Sequence, residues 1–228
     1  MIIFKNISKI YGENTVALDN ISFEIKSGEF VLIIGKSGAG KTTVLKILRR
    51  EEEPTKGNVF YKNRNLLEIP HRRLGEIRRK IAIIHQDFKL LEKRTVLENI
   101  ALPLEIASKM SFKDIKNEVI KIAERLRLKR KLNQIVKTLS GGEKQKVCLA
   151  RSLIMKPEVL LADEPTGNLD ILGTFEILEI LKNLNNDGIT IVLATHNKDI
   201  VETLKTRVLT FNNGRLIKDE NPGTFSLL

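Results

Sequence analysis

The chain has 228 residues, of which 42% are hydrophobic and 29% charged, enough for one sizeable α/β domain with a buried core. Its single cysteine, Cys148, excludes an intramolecular disulfide and suits a reducing compartment, and no apolar run reaches the roughly 18 residues that span a bilayer. The net charge of +11 implies an anionic partner, nucleic acid or the inner face of a membrane, yet two tyrosines and no tryptophan offer few platforms for stacking single-stranded bases.

Residues 1–7 lack the apolar stretch and small-residue cleavage site of a signal peptide, so a cytoplasmic protein with at most peripheral membrane contact is expected. Residues 2–7 and 21–25 read as strands. Phe30 to Ile34 is unbroken apolar sequence, as expected of a strand buried on both faces. It runs into Gly35, Lys36, Ser37, Gly38, Ala39, Gly40, Lys41 and Thr42, a complete Walker A pattern between a strand and a helix starting near Lys41. Glycines let successive backbone N–H groups turn inward on phosphate oxygens, and the helix N-terminus adds partial positive charge there. Lys41 is placed to bridge the β- and γ-phosphates of ATP, Thr42 to ligate Mg²⁺, and Thr43 lies beside them.

A further strand is expected at 81–84, after which the pattern becomes helical. In 111–114, Ser111 and Asp114 resemble a capping box, and Ile115, Val119, Ile122, Ala123 and Leu126 follow at helical spacing. Between Lys109 and Lys137 there are ten Lys or Arg against Asp114, Glu118 and Glu124, a solvated face or one attracted to anionic lipid. Ser140 and Glu143 form a second capping box around Gly141 and Gly142, leaving N–H groups at a helix end as another phosphate site. The strand at 159–162 ends in Asp163 and Glu164, a Walker B pair: Asp163 to hold Mg²⁺, Glu164 to polarise the attacking water. Strands at 189–194 and 208–211 follow, and Asn212, Asn213 and Gly214 mark a tight turn into a last short strand.

The run Leu139-Ser140-Gly141-Gly142-Glu143, with the Walker motifs, resembles the signature of the ABC ATPases, and the resemblance covers essentially the whole chain. It implies a P-loop NTPase fold of the ABC-ATPase kind: a RecA-like α/β body (1–86 and 156–228), an antiparallel β subdomain, and an inserted helical lobe (about 87–155). It implies that Tyr11 stacks on adenine and that Gln86 senses Mg²⁺ and the attacking water. Asp170 lies in the D-loop at the nucleotide, and His196 is the switch histidine at the γ-phosphate. It also implies that Ser140, Gly141, Gly142 and Glu143 contact ATP held by another copy, in an ATP-dependent homodimer. Lys144, Lys146 and His85 depart from the common residues without removing a catalytic group.

Residues 86–106 and 49–57 resemble the bacterial cell-division branch of that family. The run from Asp163 to Asp170 is shared with its lipoprotein-release and macrolide-export branches. The cell-division branch implies an FtsX-like polytopic membrane partner and control of cell-wall hydrolases. Phe88, Leu90 and Leu91, beside Lys89, Lys93 and Arg94, suit a groove holding a short helix of that partner. A soluble ABC ATPase acting on nucleic acid or ribosomes is the alternative of another class. The absence of a coiled-coil insert or a second cassette speaks against it, and no nucleic-acid partner is expected.

Overall fold

A computed structural model describes residues 1–225. The strands are β1 (Ile2–Tyr11), β2 (Thr15–Ile25), β3 (Phe30–Ile34), β4 (Lys56–Tyr61), β5 (Arg64–Asn65), β6 (Ile81–Ile84), β7 (Val159–Asp163), β8 (Thr190–Thr195), β9 (Arg207–Asn212) and β10 (Arg215–Glu220). The helices are α1 (Lys41–Leu48), α2 (Leu74–Lys80), α3 (Val96–Ala107), α4 (Phe112–Arg125), α5 (Gly141–Leu153), α6 (Ile171–Asn186) and α7 (Lys198–Leu204).

β3 is buried along its whole length. It lies between β8 and β9 in a sheet of order β10-β9-β3-β8-β7-β6, in which only β10 runs antiparallel to its neighbour. Alternate side chains of β3 serve different layers. Phe30, Leu32 and Ile34 join α3 to α7 in one core. Val31 and Ile33 join α1 and a second, antiparallel sheet of order β2-β1-β4-β5 in the other. Parallel strands covered on both faces carry their loops on one C-terminal edge. The Walker A loop, His85–Gln86, Asp163–Glu164 and Thr195–His196 all leave the sheet there.

β1 and β2 extend past the expected 2–7 and 21–25 to meet in a hairpin, Tyr11 opposite Thr15. Apart from the buried Leu18, the added residues are polar or partly exposed, so their strand conformation rests on pairing rather than on a core pattern. β4, β5 and α2 carry no strong periodicity in the sequence. Between β6 and β7 the chain forms α3, α4 and α5, whose inner faces fill the helical core. Ser111 caps α4 by accepting from the Asp114 amide, but the box stays half-formed. The Asp114 carboxylate accepts from the Ser111 hydroxyl at 2.6 Å, because an aspartate side chain is one carbon shorter than the glutamate that completes this motif. Thr95 with Glu98 and Ser140 with Glu143 form complete boxes.

The two sheets are joined by Glu158, just before β7. Its carboxylate accepts from the Tyr61 hydroxyl at 2.8 Å and pairs with Lys62 and with Lys80, the latter at 3.2 Å. These contacts, Lys62 foremost and then Tyr61 and Lys80, hold its pKa down from 4.5 to about 2 against the opposing effect of burial. Because the folded value lies below the unfolded one, the contribution is fully present above about pH 4.5 and disappears as pH falls toward 2. Glu158→Gln is expected to lower the melting temperature at neutral pH and to flatten its fall across that acid window. Thermal melts at a series of pH values measure both.

Candidate active site

The Walker A loop takes its shape from close packing. A Cβ on Gly40, at φ +101°, would lie 2.5 Å from the Ala17 carbonyl, and one on Gly35 would lie 2.5 Å from that of Phe211. No side chain caps α1 behind Gly40, which leaves its first-turn amides to an anion. The turn between β9 and β10 braces the loop from outside: the Gly214 amide donates to the Ala39 carbonyl at 3.2 Å, and the Asp19 amide donates to Gly214 at 2.9 Å.

A cleft of about 540 Å³ lies over this loop, lined by Ala17, residues 36–43, Gln86, Asp163, Glu164 and His196. The Lys41 ammonium is buried and donates to the carbonyls of Gly35 at 2.8 Å and Lys36 at 3.1 Å. It also stands 3.9 Å from the Glu164 carboxylate. Thr42 donates its hydroxyl to Asp163 at 3.2 Å. Desolvation, with neighbouring Glu164 adding to it, raises the Asp163 pKa, while the Thr42 hydrogen bond, His85 and Lys41 oppose the rise. Two carboxylates at the end of a buried strand thus favour a cation beside them.

Glu164 has a left-handed backbone, φ 48°, a conformation non-glycine residues seldom take outside special sites. Its amide donates to the Ala194 carbonyl at 3.0 Å. One carboxylate oxygen lies 2.7 Å from His196 Nδ1, and the other accepts from the Thr195 hydroxyl at 3.3 Å. A carboxylate held at both oxygens and open to a cleft can take a proton from a positioned water.

Not every expected residue reaches this cleft. Tyr11, at the end of β1, is absent from its lining, and the Lys9 ammonium lies 4.8 Å from the centre of its ring. Ala17, on the paired strand, lines the cleft instead. Ser140, Gly141, Gly142, Glu143 and Asp170 line a separate cleft with Arg127 and Lys146. There the capping box engages the amides of Ser140 and Glu143, and a Cβ on Gly142 would meet nothing within 4 Å. Asp170 caps α6, accepting from the Gly173 amide at 2.7 Å.

Gln86 is where these parts meet. Its carbonyl accepts from the Asn168 side chain at 2.9 Å, and a Cβ on Gly167 would come within 2.9 Å of its side-chain nitrogen. The next turn is strained: Phe88 and Lys89 both have positive φ, 58° and 47°. It is held from α5. Arg151 donates to the Phe88 carbonyl at 3.0 Å and the Lys89 carbonyl at 2.7 Å, and Cys148 Sγ lies 3.0 Å from the Phe88 carbonyl. Burial pushes the Cys148 thiol up to about 12, which keeps it a protonated donor. The sequence reading missed Asn168, Thr195 and Arg151 in these roles. An arginine on the apolar stripe of α5 was the one available signal for the last.

A P-loop at the C-terminal edge of a parallel sheet, an acidic pair ending another strand of that sheet and a capped LSGGE helix define a nucleotide-hydrolysing cassette. The family model described as ABC transporter matches residues 18–167, and the chain belongs to that family as an ATPase cassette. The cell division ATP-binding protein FtsE of Bacillus subtilis (strain 168) is 44% identical, across 99% of this chain and 98% of that protein. A methionine import ATP-binding protein, MetN, of Francisella tularensis subsp. holarctica is 45% identical, across 95% of this chain and 63% of that protein. Among solved structures, a dimeric post-hydrolysis ATP-binding cassette with ADP and Pi superposes with a TM-score of 0.89, at 35% identity over 99% of this chain and all of that one.

Arg151→Met preserves apolar bulk but removes both bonds to the Gln86 turn and leaves the Lys89 carbonyl without that donor. Urea denaturation should show a loss of about 1–3 kcal/mol. In steady-state kinetics, ATP hydrolysis should slow more than KM changes, with partial recovery in Arg151→Lys.

Proposed function

We propose that the chain binds ATP with Mg²⁺ in the Walker A cleft and hydrolyses it at a site completed by a second copy. In this reading it couples turnover to an FtsX-like polytopic membrane protein in bacterial cell division, and so to the control of cell-wall hydrolases. One observation carries the shared site. Lys41, Asp163, Glu164 and His196 converge on one cleft, while the LSGGE helix end opens on another. A phosphate held by the first cleft meets the second only across two chains. The dimeric cassettes among the solved structures support this arrangement.

Within the cleft, the residues suit the ion. The Thr42 hydroxyl, the Asp163 carboxylate and the Gln86 amide oxygen are hard donors, too few to bind a cation without phosphate oxygens and water, which is the habit of Mg²⁺. No cluster of three or more His, Cys, Asp or Glu of metal-binding geometry occurs among the described residues. Bound Mg²⁺ would neutralise phosphate charge. Lys41 would exchange its two carbonyls for phosphate oxygens. Glu164 would take the proton of the attacking water, held in aim by Thr195 and His196, and His196 would donate to the charge developing on the γ-phosphate. Tyr11 would reach adenine only by shedding Lys9 from its ring face.

Similarity to FtsE proteins from three species, over 97% or more of this chain, supports the cell-division reading, as do the segments at 86–106 and 49–57. A solute importer, favoured by the MetN similarity, is the second reading. Among the described residues no helix is long and apolar enough to cross a membrane, so a separate membrane protein would transmit the motion. Its groove lies beside the Gln86 turn, lined by Lys46, Glu51, His85, Asp87 and Lys89. Phe88 and Leu90 pack onto the helical core, whereas Leu91 is exposed. Peripheral contact with anionic lipid finds support in Lys109, Lys113, Lys116, Arg130 and Lys137, which form none of the ion pairs among the described residues.

Glu164→Gln should bind ATP normally and hydrolyse it on the order of 10²- to 10⁴-fold more slowly, whereas Lys41→Ala should weaken binding itself. Titration with a fluorescent ATP analogue and phosphate-release kinetics separate the two. Near-normal turnover in Glu164→Gln would move the general base elsewhere.

Leu91→Glu should retain ATP binding and lose co-purification with an FtsX-like protein expressed beside it. Capture of a solute-importer subunit instead would favour the second reading.

A further inference from the structure

α6 divides along its length. Ile177, Leu178, Leu181 and Leu184 are buried in the helical core. The first turn instead holds Ile171, Leu172 and Phe175 out to solvent, at 75%, 80% and 50% exposure. Single exposed apolar residues are ordinary, but three large ones on one helical turn form a patch of the kind that marks a contact surface. Its position narrows the occupant. Ile171 and Phe175 wall a cleft shared with Glu164 and His196, and Leu172 walls the cleft of the LSGGE helix end. The patch is therefore the ridge between two half-sites that each need a second chain.

We propose that Ile171, Leu172 and Phe175 form an apolar contact for a second copy of this chain, adding burial to the nucleotide as a force holding the pair together. The proposal rests on the two-copy reading of the site and goes beyond it, because nothing in phosphate recognition calls for apolar side chains here. The rim favours the same occupant. Asp170 and Asp199 lie beside the patch and form none of the ion pairs among the described residues, Glu176 is engaged by Lys146 at 2.6 Å, and Arg127 is the other basic residue of the rim, which stays acidic on balance. An acidic rim is repelled by anionic lipid and by nucleic acid, whereas it is attracted to a copy of a chain whose net charge is +11.

The test uses the full chain carrying Glu164→Gln, with Mg-ATP, in sedimentation velocity over a range of protein concentrations. Adding Ile171→Ser, Leu172→Ser and Phe175→Ser should weaken self-association on the order of tenfold or more. Binding of a fluorescent ATP analogue to the dilute monomer and the melting temperature should stay close to those of the parent. Leu172→Asp alone should act in the same direction. As a positional readout, a thiol at Leu172→Cys, the other cysteine being buried, should be alkylated readily in the monomer and protected in the associated form.

Unchanged self-association, or a thiol equally reactive in both forms, overturns the patch while leaving the two-copy site intact. So does a variant that associates normally but loses a co-expressed membrane protein, since the patch would then belong to that partner. If Glu164→Gln never associates with Mg-ATP, the two-copy reading fails first and the proposal with it.

Discussion

Everything in this molecule depends on a five-residue strand with no polar face. β3 is apolar on both sides, so it is stable only between two covering layers, and that requirement draws the antiparallel sheet and α1 to one side and the helical core to the other. A central parallel strand gathers its neighbours in one direction, and their C-terminal ends deliver the phosphate loop, the acidic pair, Gln86 and His196 to one edge. The chemistry is assembled by sheet direction, although its residues lie far apart in the chain, from Gly35 to His196.

Gln86 ties that edge to the helical layer. It lines the cleft of the Walker A loop and an adjoining groove that shares Thr42 and Asp163 with it. It is held by Asn168 from the segment ahead of α6, and its strained continuation is held by Arg151 and Cys148 from α5. Two successive left-handed residues are costly unless their surroundings over-determine them, and here three donors from two side chains do so. Gln86 is thereby tied, through its strained turn, to α5, the helix that Ser140 and Glu143 cap. This is a contiguous, hydrogen-bonded link from the Walker A cleft through the Gln86 turn to α5, with named atoms at each joint.

The charge of the chain is unevenly placed. Lysines and arginines crowd α4 and the turns behind it, some answered by local acids such as Glu118 and Glu124, others forming none of the ion pairs among the described residues. Carboxylates instead gather where the site and the first turn of α6 lie. Such separation gives the molecule one basic face and one acidic edge, each favouring a partner of opposite charge.

The sequence by itself determined the identity of the chemical groups and the strands that carry them. An apolar run before a glycine-rich loop, an apolar run before two acids, and a serine and glutamate three apart are local patterns with local causes, and β3, β7 and the cap of α5 appear where those patterns stand. Only the tertiary structure decided which groups share a cleft. Lys41 and Glu164 meet because β3 and β7 flank β8. Ser140 stays apart from both because α5 points its N-terminus elsewhere, and Tyr11 stays outside because its hairpin offers Ala17 instead. The roles of Arg151, Asn168 and Thr195 were equally hidden: each bonds an atom distant in the chain, and no periodicity records such a bond. Local propensity writes motifs, whereas burial and sheet order choose their neighbours.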